Sequence, residues 1–233
     1  MAVITISRES GSGGGYVAQL LAKTLGYHLV GDRVLRALLE QYGMSDFDEV
    51  YDAAPGLSAR FVDRRRDVTD MLNRVLWSVA QHGDAVILGR GGYAVLREVA
   101  DVLNVRVQAP LSIRGHRIVE RGEAGDIDAA QERAKDRDKR RATFVKLSYG
   151  LPWDATHDFD LVVDTAKLSA ESACALIAKA ALSMRKPDAR ARIATELEVD
   201  AVLANALTEV LGCRSVHGAR AREEGAPTPG PQA

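Results

Sequence analysis

Apolar residues recur with two different periods along the first part of the chain. Ala2–Ile6 alternates β-branched side chains and ends in a glycine-rich segment, which predicts a strand followed by a loop. Beyond the loop, apolar residues recur at helical spacing until Gly26, which ends the predicted helix. His28–Val30 predicts a second strand, and the pattern over Val34–Tyr42 is helical again. The N-terminal region is therefore predicted to run strand, loop, helix, strand, helix.

The middle of the chain interrupts this alternation and then resumes it. Ser45–Leu57 has no regular pattern, whereas Phe61–His82 predicts a long amphipathic helix. Three further strands are predicted at Ala85–Leu88, Val102–Val107 and Phe159–Val163. Further helices are predicted through Ile113 and Ile118, over Asp128–Tyr149 and over Ser169–Met184. Strands that alternate with helices in this way predict an α/β fold, with a parallel sheet covered by helices on both faces.

The composition changes beyond Pro187. Ala189–Leu211 fits one or two further helices, and Gly218–Ala233 has the proline, glycine and charge content of a disordered tail. We therefore expect one main domain over residues 1–185 and a helical extension with a disordered tail over residues 186–233. No chemistry is assigned to this extension.

Length and charge narrow the class of protein. The 233 residues suffice for one large α/β domain, and 31 basic against 32 acidic residues create no overall field toward nucleic acid or an anionic membrane. No signal-peptide pattern begins the chain and no apolar run approaches the roughly 18 residues of a membrane span, which favours a cytoplasmic protein. Cys174 and Cys213 lack metal-ligand or CxxC spacing, so we expect reduced thiols.

A glycine-rich segment, Ser10–Gly15, lies between the first predicted strand and the first predicted helix. Unpaired amide N–H groups at the start of a helix bind anions, and glycine lets an anion approach the backbone closely. The segment also fits a turn that packs tightly and binds nothing. The strand before it and the helix after it favour a phosphate-binding loop.

Neither of two common phosphate-loop motifs is complete here. The dinucleotide fingerprint GxGxxG has Gly11 and Gly13 in place, but Tyr16 stands at its third glycine. In the mononucleotide loop GxxxxGK[ST], Gly13 takes the second glycine position, Arg8 the first and Gly14 the lysine position. The missing lysine removes a charge from the β- and γ-phosphates. Arg8 is close enough in sequence to replace that charge.

Five short motifs follow one another along the chain. They are ITISRESGSGGG, GDRVL after the second strand, VILGRGG near the middle, the basic stretch KDRDKRR, and DFDLVVDTAKLS. In this order they resemble the cytidylate kinase-like family, which is related to the bacterial cytidylate kinases and so to the nucleoside monophosphate kinases. The resemblance covers about Ala2–Leu182.

The resemblance implies a fold and an activity. The fold would be an α/β, P-loop kinase-like three-layer sandwich with a five-stranded parallel sheet. A helical insert that binds the monophosphate would occupy Arg33–His82, and a mobile lid over the phosphates would lie around Glu120–Lys146. The activity would be transfer of the γ-phosphoryl group of ATP to CMP, dCMP or a related acceptor. Its partners would be these nucleotides, with Mg²⁺ carried by the ATP and no metal site on the protein; the oligomeric state stays open.

The resemblance assigns the glycine-rich segment to the donor nucleotide, with the two serine hydroxyls as further contacts. The donor-binding residues would be Ser10, Gly11, Ser12, Gly13, Gly14 and Gly15. Phosphoryl transfer depends on positioned cations, so the arginines near the loop and in KDRDKRR are candidates for contacts to the transferred group. We expect Arg8, Arg137 and Arg141 to supply these contacts. Arg114 and Arg117 are further candidates.

The basic stretch has a simpler interpretation too. By spacing, Arg133, Arg137 and Arg141 share one face of a helix, and Arg140 can take the place of Arg141. The interleaved aspartates make an ordinary solvated helix with salt bridges an open alternative for any one of these arginines.

For the acceptor nucleotide, the resemblance singles out Asp32 and Arg90. Leu38 stands where the family has an arginine, and either Arg33 or Arg36 would replace it. A surface arginine between glycines is the alternative for Arg90.

Three other polar residues are expected to be structural. Asp164 closes the last predicted strand, where we expect it to cap the following turn. His116 and His157 stand alone, without the spacing of metal ligands.

Two other functions stay open from the sequence. A chain without the loop lysine and its neighbouring hydroxyl also suits a nucleotide-binding sensor or scaffold that has lost efficient catalysis. A dinucleotide-dependent oxidoreductase is suggested by Gly11, Gly13 and Asp32. Tyr16 and the long helical insert disfavour the oxidoreductase.

Overall fold

A computed structural model describes the backbone of residues 2–52 and 59–220, and the side chains of residues 2–52 and 63–212. Within these residues strands and helices alternate along most of the chain. The strands are β1 (Val3–Arg8), β2 (His28–Val30), β3 (Ala85–Leu88), β4 (Val102–Gln108) and β5 (Leu161–Asp164). The helices are α1 (Gly14–Leu25), α2 (Asp32–Gln41), α3 (Phe47–Asp52), α4 (Ala59–His82), α5 (Gly92–Leu96), α6 (Leu111–Glu120), α7 (Ile127–Tyr149), α8 (Ala170–Leu182) and α9 (Ala201–Arg220).

The five strands form one parallel sheet in the order β2-β3-β1-β4-β5. β1 is its central strand, and successive side chains of β1 point to opposite faces. Ile4 and Ile6 pack with α1 and α8 on one face, whereas Val3 joins the core formed with α2, α4 and α5 on the other. This arrangement confirms the predicted α/β fold with a five-stranded parallel sheet covered on both faces.

The amphipathic helix predicted over Phe61–His82 is α4, and its apolar side packs in the core. Val68, Leu72, Val75 and Leu76 are fully buried, and Met71 packs at the edge of the same core. Asp126 begins the other long helix, α7, by accepting a hydrogen bond from the amide of Ala129 at 2.8 Å. Both helices follow from sequence because a long apolar stripe or a clear cap marks them.

Two short helices were not predicted. α3 lies in Ser45–Leu57, which was expected to be irregular; residues 53–57 of that segment lie outside the described residues. α5 follows the GRGG turn and has only five residues. Helices of one or two turns are too short for a helical period to show in the sequence.

The extension packs against the main body instead of standing apart from it. Leu203, Leu207 and Leu211 of α9 are buried in the core that holds α2 and α4. Between residues 189 and 200 the only helical structure is a short 3-10 turn at Ala194–Glu196, so the predicted helices reduce mainly to α9. The predicted tail lies outside the described residues from residue 221 onward.

Candidate active site

The glycine loop lies where the chain changes its direction of travel across the sheet. From β1 the chain crosses to the β2 and β3 side, and from β3 it crosses back over β1 to β4. In open parallel sheets, ligands bind at such a point, beyond the carboxyl ends of the strands. The loops after β1 and β3, residues 9–13 and 89–91, both lie there.

Several amide groups of the glycine loop are available to an anion. Gly13 is the N-cap of α1, in the left-handed conformation with φ of 79° and with no side-chain cap. Among the described residues, the amides of Gly11, Gly13 and Gly15 have no hydrogen-bond partner. These N–H groups lie at the positive end of the helix dipole, where a phosphate is stabilised.

The contacts of Arg8 explain why position 14 holds glycine and not lysine. A Cβ on Gly14 would lie 2.6 Å from the Cβ of Arg8, so any side chain there would collide with the arginine. Gly89 makes room for the far end of Arg8, since a Cβ on Gly89 would overlap its Nη1 atom. Arg8 therefore fills the space between the two loops. It can do so because glycine at position 14 has no side chain.

Among the described residues Arg8 has no acidic partner. Its side chain makes no hydrogen bond or ion pair with another described residue, so its charge is not neutralised by direct contact. Burial, and after it the charge of Arg141, lower the pKa of Arg8 to about 10. At neutral pH Arg8 is therefore a cation whose charge is available to an anion.

Arg8 adjoins several cavities, of which two are large enough to hold part of a ligand. The loop cavity, of about 340 Å³, lies over the glycine loop and is further lined by Glu9, Ser10, Gly11, Gly13, Gly14, Gly15, Tyr16, Gln19 and Arg121. The α3 cavity, of about 230 Å³, is further lined by Tyr51, Asp52, Arg90 and Arg140. Arg8, Arg137 and Arg141 line both cavities. The three arginines predicted to be catalytic thus lie between two spaces large enough for polar groups of ligands.

Arg137 and Arg141 project from α7, and each donates to one carboxylate. Arg141 donates to Asp138 at 2.8 Å. Arg137 donates to Glu123 at 2.7 Å, and Arg121 donates to the same carboxylate at 2.7 Å. The hydrogen bond from Arg137, and then the one from Arg121, hold the pKa of Glu123 below its usual range.

Asp32 and Arg90, predicted for the acceptor nucleotide, belong to one cluster of ion pairs. Arg90 pairs with Asp32 and, at 3.5 Å, with Asp48. Arg36 pairs with the same two carboxylates at 2.8 Å each. The guanidinium of Arg90 also lies 3.9 Å from the centre of the Tyr51 ring, which places it against α3. The cluster joins α2, α3 and the GRGG turn at the wall of the α3 cavity.

The backbone of Arg90 has a strained conformation. Its φ is 53°, in the left-handed region, and it stands between Gly89 at 73° and Gly91 at 75°. Its Nη1 atom is buried and has no hydrogen-bond partner among the described residues. Arg33, the other candidate, is exposed and makes no ion pair with a described residue.

A second group of arginines lies behind the loop and holds it in place. Arg114 donates to the carbonyl of Ser10 at 3.0 Å. Arg117 donates to the carbonyl of Ser12 at 3.2 Å and to that of Thr165 at 2.7 Å. Arg114 and Arg117, which the sequence suggested as contacts for the transferred group, are thus engaged with the protein backbone.

The two serines of the loop also support its shape. The hydroxyl of Ser12 donates to the carbonyl of Glu9 at 2.8 Å, and Ser12 does not line the loop cavity. Ser10 lines the cavity, and its amide donates to Asp138 at 2.8 Å. The loop therefore offers glycine amides to a ligand more than serine hydroxyls.

Several lining residues were not predicted. Tyr51 and Asp52 belong to α3, whose segment showed no periodicity, and Arg121 ends α6. The one sequence signal for α3 is the concentration of acidic and aromatic residues in FDEVYD.

Among the remaining candidates, Asp164 and Arg133 line neither cavity, whereas Arg140 lines the α3 cavity. Asp164 accepts a hydrogen bond from the amide of Ala166 at 2.7 Å, while Ser169 caps α8. Arg133 donates to the carbonyl of Glu123 at 2.6 Å, and Arg140 pairs with Asp52 at 3.2 Å across the mouth of the α3 cavity.

The described residues lack two kinds of feature. They contain no helix long and apolar enough to span a membrane. They also contain no group of three or more His, Cys, Asp or Glu side chains arranged to hold a metal ion.

A profile of the cytidylate kinase-like family matches residues 3–167. The chain belongs to this family. Both the predicted family and its α/β P-loop kinase fold are thereby confirmed, and they support a nucleotide-binding phosphotransferase. The match ends before α8, so α8 and the extension lie beyond it.

Other proteins are similar to about three quarters of this chain. Cytidylate kinase of Ignicoccus hospitalis is 33% identical over 175 residues, covering 74% of this chain and 94% of the relative. Cytidylate kinase of Methanopyrus kandleri is 28% identical over 191 residues, covering 77% and 92%. The crystal structure of an uncharacterized protein from Eubacterium ventriosum shares the fold, with a TM-score of 0.62 and 22% identity over 78% of this chain and 99% of the other.

Proposed function

We propose that this protein transfers the γ-phosphoryl group of ATP to a nucleoside monophosphate, with CMP or dCMP as the first candidates. One observation carries the proposal: Arg8, Arg137 and Arg141 line both the loop cavity and the α3 cavity. A phosphoryl group that passes from one bound nucleotide to another needs cations at the junction of the two sites. The relatives named as cytidylate kinases support the choice of acceptor.

The donor and acceptor would occupy different cavities. The phosphates of ATP would bind the free amides of Gly11, Gly13 and Gly15, and the acceptor phosphate would enter the α3 cavity. An acceptor oxygen would form a bond to the γ-phosphorus while the bond from that phosphorus to the β,γ-bridging oxygen breaks, which releases ADP. Arg8 and Arg141 would hold the charge on the transferring oxygens, so no covalent intermediate with the protein is needed.

Magnesium fits this site as part of the nucleotide. The loop presents glycine amides to the cavity, and a Cβ on Gly15 would meet no atom within 4 Å, so this part of the loop faces open space. Since the Ser12 hydroxyl is bound to the carbonyl of Glu9, the ion would be held by phosphate oxygens and water and not by a loop hydroxyl. Bound there, it would neutralise charge on the β- and γ-phosphates.

The proposed lid and the proposed acceptor insert would flank the junction of the loop cavity and the α3 cavity. Arg137 and Arg141 belong to residues 120–146, the proposed lid, whereas α2, α3 and α4 belong to residues 33–82, the proposed acceptor insert. Closure of the lid would bring its arginines onto the phosphates and exclude water from the transfer.

The test is release of ADP from Mg-ATP with each nucleoside monophosphate offered in turn at up to about millimolar concentration. Turnover selective for CMP or dCMP would support the full proposal, and turnover with another acceptor would keep the reaction and change the substrate. Folded protein that binds ATP but turns over no acceptor would overturn the enzyme proposal in favour of a sensor or scaffold.

A further inference from the structure

Glu9, at the start of the glycine loop, is the counter-ion of two buried arginines. Its carboxylate lies 3.4 Å from Arg106 and 3.5 Å from Arg114, and it accepts a hydrogen bond from the amide of Ala109 at 3.1 Å. The side chains of Arg106 and Arg114 are only 3% and 10% exposed. Buried guanidinium groups need such a partner, because an uncompensated buried charge costs several kcal/mol.

Arg114 connects Glu9 to the other end of the site. Its Nε atom donates to the carbonyl of Ala109 at 2.9 Å, on the side of Glu9. Its Nη1 atom donates to Asp138 of α7 at 2.7 Å. The rigid, planar guanidinium thus fixes the Asp138 carboxylate relative to the loop.

Asp138 joins α7 to the glycine loop. One of its oxygens accepts the hydrogen bond from Arg114, and the other accepts from the amide of Ser10 and from Arg141, both at 2.8 Å. Arg141 lies near Arg8, a like charge, so it would move toward solvent if no carboxylate held it. The bond from Arg141 to Asp138 keeps two repelling cations together at the junction of the cavities.

We propose that Glu9 is a positioning residue, which acts through Arg114 and Asp138 to hold Arg141 between the loop cavity and the α3 cavity. Glu9 itself would not contact the reacting atoms. The inference rests on the proposed function, since it gives Arg141 its place in phosphoryl transfer. It also makes a claim about anion binding that does not need turnover.

The variant Glu9→Gln keeps the size of the side chain and removes its charge. We expect its turnover number for ADP release to fall about tenfold, with the KM for ATP rising by only about two- to threefold, because a misplaced cation weakens phosphate binding but weakens the transition state more. Glu9→Asp should recover part of the loss. Glu132→Gln is the matched control, since Glu132 lies on α7 and its only ion pair with a described residue is the exposed one with Lys135.

A double variant separates positioning from a general loss of structure. If Glu9 acts through Arg141, Glu9→Gln in an Arg141→Ala background should lower turnover no further than Arg141→Ala alone. Multiplied losses in the double variant, or turnover of Glu9→Gln equal to that of the wild type, would overturn the proposal. All variants are compared at a temperature at which circular dichroism shows them fully folded.

Binding of tripolyphosphate, measured by calorimetry, tests the same inference without catalysis. We expect Glu9→Gln to weaken binding by a smaller factor than Arg141→Ala does, and the double variant to bind no more weakly than Arg141→Ala alone. Unchanged affinity in Glu9→Gln would overturn the positioning role. A wild type that binds tripolyphosphate with this pattern but turns over no acceptor would overturn only the proposed function.

Discussion

The arginines that line the two cavities, in front of the glycine loop, differ from the arginines that lie behind the loop. Behind the loop, Arg114 and Arg117 donate to backbone carbonyls of the loop. In front, Arg8 contacts no carboxylate or carbonyl among the described residues, although it is at least partly buried. Arginines therefore stabilise the loop on one side. On the other side, the charge of Arg8 is not neutralised by a described residue.

The difference shows how a structure separates structural from functional cations. A guanidinium whose donors are occupied by carbonyls gives its hydrogen bonds to the fold. A desolvated guanidinium beside another cation is unfavourable until an anion arrives, so its environment favours binding of a phosphate. Arg141 is intermediate, since it holds Asp138 and still lines both cavities.

Replacing Arg8 should have the largest effect on activity. We expect Arg8→Ala to lower turnover by about 10²–10³-fold, the loss seen when one preorganised donor to a developing charge is removed. Its melting temperature should not fall, because Arg8 makes no ion pair with a described residue. Steady-state ADP release and thermal unfolding measure the two quantities.

Arg97→Ala is the control for Arg8, because Arg97 lies 40% exposed at the end of α5 beside Glu98. Its turnover should match the wild type. If Arg8→Ala unfolds several degrees lower and retains its turnover, Arg8 belongs with the structural arginines and the comparison fails.

Two neighbouring arginines of α7 sharpen the comparison on the front side. Arg141→Ala should lower turnover by about 10²-fold, because the residue lies beside Arg8 and its side chain is only 19% exposed. Arg140 is 56% exposed and pairs with Asp52 at the rim, so Arg140→Ala should change turnover by less than about threefold. Equal losses in the two variants would mean that the charge of the whole helix matters and not the placement of one side chain.

On the back side, the expected effect is on stability. Arg117→Ala removes the donor to the carbonyl of Thr165 and one of the donors to that of Ser12, and we expect a loss of about 2 kcal/mol in the free energy of unfolding. Denaturant titration measures it. A variant as stable as the wild type, but with lost turnover, would move Arg117 to the front group.

The sequence predicted the fold better than it predicted the site. The strand predicted at Val102–Val107 and the helix α4 have apolar patterns long enough for their period to be recognised. It also predicted Arg8, Arg137 and Arg141 as candidates that the structure brings together, although their roles stay predictions. It could not separate these arginines from Arg114 and Arg117, because the partners of the latter two include residues far away in the chain, such as Ser10, Ser12 and Thr165.

Glycine at position 14 shows most clearly what the sequence lacks. In the sequence, Gly14 stands where the motif has a lysine. In the structure, a side chain at position 14 would collide with Arg8. Glycine at position 14 and arginine at position 8 depend on each other sterically. A motif that lists each position separately does not show this dependence. The acidic helix α3 was missed for a different reason, since six residues contain too few turns to show a period.

Two histidines also lie close together far from the loop, and this pair should give the smallest effect. His28 lies at the start of β2 with its ring centre 5.7 Å from that of His82. Burial, and then His82, lower the pKa of His28 below its usual value. The neutral form is thus favoured in the folded state. The stability that this contributes is present above the ordinary histidine pKa, about 6.5, and is lost as pH falls through the lower folded value.

The free energy of unfolding should therefore decrease from pH 7.5 to pH 5.5, and His28→Gln should flatten this decrease. Burial is the larger cause, so His82→Gln should retain most of the slope. Denaturant titrations at several pH values measure it. If His82→Gln abolishes the slope, repulsion dominates and the pair resembles Arg8 and Arg141 more closely than we expect. If the slope survives in both variants, other groups set it. Protonation of His28 beside His82 thus only costs stability, whereas Arg8 and Arg141 line cavities that a phosphate can enter.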